Sequence, residues 1–84
     1  MSGLDPALVV EAAEITIKHQ LASTSLLQRR MDVRFSVASR LLDALAEVGV
    51  VTARDGLMRQ VIVAPDDMAA AIARINTSGN GATS

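Results

Sequence analysis

The chain has no cysteine, no tryptophan and no tyrosine, and Phe35 is its only aromatic residue. Without cysteine neither a disulfide nor a thiolate metal site is available, so packing must hold the fold. With one ring, the core has to be built from Leu, Val, Ile, Ala and Met. His19 is the only histidine, and no nucleophile–base pair stands near it in sequence. At the end of the first helix it reads as an ordinary terminal cation. An enzyme is therefore not expected, and neither a cofactor nor a metal ion is implied. No G-x-x-x-x-G-K-[ST] loop occurs, which excludes an ATPase motor in this stretch. No apolar run approaches the roughly 20 residues of a membrane span. The opening MSGLDPALVV lacks the basic segment and cleavage site of a signal peptide. A cytoplasmic protein without membrane contact is the expectation.

An excess of positive charge is missing too. The formal net charge is −1 over 84 residues, whereas a nucleic-acid-binding domain is usually basic. The distribution reads differently from the sum. Six of the eight cations (Arg29, Arg30, Arg34, Arg40, Arg54 and Arg59) fall between residues 29 and 59, with four acids among them.

The length allows one small domain, and its limited core would gain from a partner. After a short tail over residues 1–5, Asp5-Pro6 predicts a helix start, the aspartate capping free N–H groups and the proline taking the first position. That helix should reach about His19 and bury Leu8, Ala12 and Ile15. Ala22-Ser23-Thr24 reads as an extended link. Ser25-Leu26-Leu27-Gln28 has the form of a capping box opening a second helix to Met31. Asp32 to Phe35 reads as a turn with Val33 inward. A third helix should start near Ser36, bury Ala38, Leu41, Leu42, Leu45 and Val48, and stop at Gly49.

The period then changes. Val50 to Ala53 and Arg59 to Val63 are strand-like runs around Asp55-Gly56, the signal of a hairpin. Pro65 breaks the second run, and Asp66-Asp67 can start a last helix ending near Ile75. Residues 76–84 are polar and read as a disordered tail. The expected fold is mainly α with a small β-hairpin: a winged helix-turn-helix over residues 6–64, plus an extra helix over 65–75. Such a motif lays its last helix in the major groove while the helix before it braces on the backbone.

The stretch LASTSLLQRRMDVRFSVASRLLDALAEVGVV, followed by DGLMRQVIV, resembles the gamma domain of FtsK-type DNA translocases. SLLQRR and ASRLLD are its most specific parts, and the resemblance covers about residues 8 to 63. It implies a winged helix that reads short polar DNA sequences orienting the motor, and that also contacts the Xer recombinase. Several positions depart from the family pattern. Ser36 and Val37 stand where an asparagine and a basic residue are common, and Arg34 replaces a glycine. Gln20 and Leu21 replace basic residues, and the wing is shorter and lacks its usual lysine. Arg40 and Asp43 keep the family's arginine and acid.

The residues carry a DNA reading of their own. On the third helix Ser36, Val37, Ser39, Arg40 and Asp43 are the expected base-reading positions. A guanidinium can bond guanine O6 and N7 together, and Asp43 can accept from a cytosine amino group or hold Arg40. Ser25, Gln28, Arg29, Arg30, Arg34, Arg54 and Arg59 are the expected backbone contacts, Arg59 equally readable as a solvent-facing wing residue. The stripe of Met68, Ala71, Ile72 and Ile75 must be covered, either by the first helix or, the favoured expectation, by a second chain in a two-fold dimer. The expected role is sequence-specific binding of double-stranded DNA by a small regulator or accessory factor of bacterial cytoplasm or nucleoid, one carried by a mobile element included. The alternative is a protein-interaction module for a recombinase or another regulator, which the negative charge and apolar Val37 favour.

Overall fold

The computed structural model describes residues 5–52 and 59–81, with side chains as far as Asn76. Its helices are α1 (Pro6–His19), α2 (Thr24–Met31), α3 (Phe35–Glu47) and α4 (Met68–Gly81), the last preceded by a 3-10 turn at Pro65–Asp67. Among the described residues the chain is thus mainly α, and no helix is long and apolar enough to cross a membrane.

Local chemistry accounts for most of the boundaries. Asp5 caps α1 by accepting the Ala7 N–H at 2.9 Å, and Pro6 occupies the first helical position, where its missing N–H costs nothing. At the other end Gln20 turns the chain with φ 53°. Its side chain donates to the Ile17 carbonyl at 2.7 Å and to the Val63 carbonyl at 3.0 Å. One glutamine thus ties the end of α1 to the segment leading into α4.

The start of α2 corrects the capping box. Ser23, not Ser25, is the cap, and its hydroxyl accepts the Leu26 N–H at 3.3 Å. A cap needs extended backbone, which Ser23 has (φ −131°, ψ 128°), while Ser25 already lies inside the first turn. Asp32 ends the helix with φ 55°, a left-handed conformation that aspartate tolerates better than most residues. Arg34, standing at the family's glycine, has φ −75° and ψ 162°. This backbone is open to any residue, so the missing glycine causes no strain. Phe35, expected in the turn, is the first residue of α3.

Helix α3 buries Ala38, Leu41, Leu42 and Leu45 as the spacing predicts, with Val48 half-buried. Gly49 then turns the chain at φ 84°. By contrast α1 buries Val9, Ala12, Ala13, Thr16 and Ile17, leaving Leu8 and Ile15 on the half-buried flank. The shift follows from its place in the fold: α1 packs on α2, α3 and α4 at once. Three neighbours cover a wider arc than one apolar stripe, and the small Ala12 and Ala13 permit close approach.

Among the described residues the two arms after α3 meet antiparallel at one bridge, Val51 to Val61. The Thr52 N–H donates to the Gln60 carbonyl and the Ile62 N–H to the Val50 carbonyl, both at 2.9 Å. The expected ladder of two strands is not extended among the described residues. One reason is visible at its end: the Gln60 N–H is taken by the Thr52 hydroxyl at 3.0 Å rather than by a carbonyl. Arg54 and the Asp55-Gly56 turn lie outside the described residues.

Helix α4 differs from expectation in length and in partner. It continues to Gly81, past Ile75, because a helix already anchored by packing can propagate through weak formers. Ala71 and Ile75 are buried, Met68 and Ile72 half-buried, and the helix packs against α1 of its own chain. Helix α1 of the same chain, rather than a second chain, thus covers the buried part of the stripe. The tethered helix reaches α1 without the loss of translational freedom that dimerisation would cost.

Candidate nucleic-acid interface

The core stripe of α3 fixes what its other side presents. Ser36, Arg40 and Asp43 are exposed, and their spacing of four and three residues puts them in one row along the helix. Ser39 is half-buried at the edge of that row. Val37 is not part of the outer face: it is half-buried and packed against the core. Four residues ahead of Leu41, Val37 continues the inner stripe by one turn.

Phe35 is a candidate the sequence reading missed. Its side chain is 60% exposed at the first position of α3, between Arg34 and Ser36. The signal was available, since the only aromatic of an otherwise aliphatic chain need not be in the core.

Helix α2 supplies the flank. Ser25 and Arg29 are exposed and one turn apart, Arg30 is exposed beside them, and Gln28 is half-buried. Arg34 is exposed at the cap of α3. Two guanidinium groups (Arg29 and Arg34) thus reach solvent around the turn between α2 and α3, whereas Arg30, one helical step of about 100° from Arg29, borders Glu11, Glu14 and Lys18 of α1. Arg54 lies outside the described residues.

Arg59 is placed differently from both readings of the sequence. Its side chain is only 7% exposed and lies across α3, where it is ion-paired with Oδ1 of Asp43. Its Nη1 also donates to the Leu42 carbonyl at 3.3 Å. It neither faces solvent nor offers a guanidinium to an outside phosphate. Asp43, 59% exposed at the side chain, is the outer partner of the pair. Strand alternation could not reveal this, since the partner is 16 residues away in the chain. Among the described residues no cluster of His, Cys, Asp and Glu could hold a metal ion.

The architecture defines a class first: a small helical module with a short helix, a tight turn and a polar-faced helix, backed by α1 and joined to two paired arms. The chain belongs to the FtsK gamma domain family, whose model matches residues 4–64. It is 42% identical over 77 residues to the DNA translocase FtsK of Tropheryma whipplei, covering 90% of this chain and 10% of that protein. Against the DNA translocase FtsK of Mycobacterium tuberculosis it is 37% identical over 78 residues, 92% of this chain and 9% of the relative. The DNA translocase FtsK of Chlorobaculum tepidum is 44% identical over 66 residues, 77% of this chain and 8% of that protein. The chain therefore spans about a tenth of the length of the curated relatives it matches. No solved structure matches it.

Proposed function

We propose that the chain is a winged helix-turn-helix that binds double-stranded DNA with sequence preference, α3 lying in the major groove. The observation that carries this reading is the outward row of Ser36, Arg40 and Asp43, flanked by the exposed Arg29 and Arg34. Arg40 can bond both acceptors of a guanine, and Asp43 accepts from a cytosine amino group. The two flanking arginines provide charge for phosphates, which position the module without reading sequence. The short Ser36 lets the start of α3 approach a base pair, and the exposed Phe35 ring offers apolar contact to a thymine methyl. The arms around the Val51–Val61 bridge are the base of the wing.

The family assignment supports the same reading, because the gamma domain serves a translocase by reading short oriented duplex sequences. It favours that task over transcription regulation or a mobile-element role. A recombinase partner is the second reading. It is favoured by Leu21 and Ile62, large apolar side chains 48% and 58% exposed.

Titration of a labelled duplex at two salt concentrations tests the first reading. Two phosphate contacts correspond to a slope of about −1.8, or about 12-fold weaker binding between roughly 50 and about 200 mM salt. Binding insensitive to salt, or equal for selected and scrambled duplexes, would refute it.

A further inference from the structure

We propose that Arg59 is a positioning residue of the reading helix: it holds the Asp43 carboxylate in one orientation, as an acceptor for the amino group of a cytosine. The inference rests on the DNA-binding reading above and assigns part of its specificity to a residue of the second arm.

The geometry is that of a clamp. Arg59 engages Oδ1 of Asp43 through Nη2 and the Leu42 carbonyl through Nη1. Two donors of one planar group are thus fixed on consecutive residues of α3, so the guanidinium cannot turn without breaking a contact. Asp43 is pinned at one oxygen while its side chain stays 59% exposed, and it is three residues beyond Arg40 in the row facing outward.

Charge gives the clamp a purpose. A bare carboxylate on a groove-facing helix meets the field of two phosphate strands and is repelled. An arginine behind it neutralises that charge while leaving a strong acceptor in front. Cytosine is the base whose major-groove edge offers a donor, N4–H2, to a single carboxylate. A direct phosphate contact by Arg59 does not fit, because a side chain 7% exposed must leave both partners to reach one.

The two roles separate in binding profiles. A site is first selected from random duplexes with the wild-type chain. Each base of that site is then varied against wild type, Asp43→Ala, Arg59→Ala, Arg59→Lys and the Asp43→Ala/Arg59→Ala double variant. Asp43→Ala and Arg59→Ala are each expected to lose about tenfold preference for cytosine at one and the same position. The double variant should lose no more than either single one, as for residues acting as a unit. Preference at the base read by Arg40 should be unchanged, while Arg59→Ala, which leaves the Asp43 charge bare, should also weaken every duplex to an extent that the double variant relieves. Arg59→Lys should fall between wild type and Arg59→Ala, since an ammonium cannot fork between two acceptors. Should Arg59→Ala fail to fold, Arg59→Lys and Asp43→Asn carry the same comparison.

A salt slope lowered by about one unit with the base profile intact would show a phosphate contact and overturn the proposal. Equal weakening on every duplex, with the cytosine preference kept and no relief in the double variant, would show a merely structural role and overturn it too. If the wild-type chain itself selects no site, the DNA reading fails and takes this inference with it, a result recognisable before any variant is made.

Discussion

At the scale of single residues, Asp5 and Ser23 decide where α1 and α2 begin, and one outward arginine carries most of the expected discrimination. Arg40→Ala should abolish preference at one guanine, at about 1–3 kcal/mol, without unfolding the chain. Comparison of selected and scrambled duplexes, alongside a thermal melt, checks this. The serines offer a sharper contrast. Ser23 caps α2 and Ser25 lies two residues later in its first turn, so Ser23→Ala should cost about 1 kcal/mol by urea unfolding. Ser25→Ala is expected to cost well under that, and the reverse order would restore the capping box read from sequence. Among the described residues, Gly49 has a backbone that needs glycine, at φ 84°. An added Cβ there would have the Arg74 guanidinium as its nearest neighbour, at 3.8 Å, an ordinary contact. Gly49→Ala should therefore destabilise by about 1 kcal/mol through backbone strain alone.

At the scale of elements, α4 is the part that the helix-turn-helix plan does not require and the packing does. Its Ile75 is 4% exposed and Ala71 1% exposed, and both belong to the same core as α1 and α3. Ile75→Ala should lower stability by about 2–5 kcal/mol, as for other large-to-small changes in a core. The effect should appear in the urea midpoint. A loss below half a kcal/mol would mean that α4 detaches in solution. The outer row of α3 is untouched by this change, so affinity for DNA in the folded fraction should stay as in wild type.

At the scale of the whole molecule, the radius of gyration of 11.8 Å agrees with about 12 Å expected for one compact chain of this length. With the α4 stripe covered by α1, light scattering should report the mass of a single chain at high micromolar concentration. Ile72→Asp, changing a half-buried position of that stripe, should leave this mass unchanged. A doubled mass that Ile72→Asp returns to that of a monomer would reinstate the two-fold pairing.

Much of this architecture was legible in the order of residues because it depends on neighbours in the chain. Asp5-Pro6 starts a helix wherever the helix is later packed, and the core spacing of α3 dictates that Arg40 faces outward once Leu41 and Leu45 face inward. The SLLQRR and ASRLLD segments identified the family for the same reason, being contiguous. What tertiary structure alone decided concerns contacts between distant segments. Which arc of α1 is buried depends on α2, α3 and α4 arriving from three sides, so Val9, Ala13 and Thr16 join Ala12 in place of Leu8 and Ile15. The partner of the α4 stripe was open in sequence, since an apolar face specifies that it must be covered and not by what. Arg59 shows the limit most plainly. Alternation along a strand assigns a side chain to one of two faces, but only the folded chain brings α3 beneath it and turns a presumed phosphate contact into the partner of Asp43.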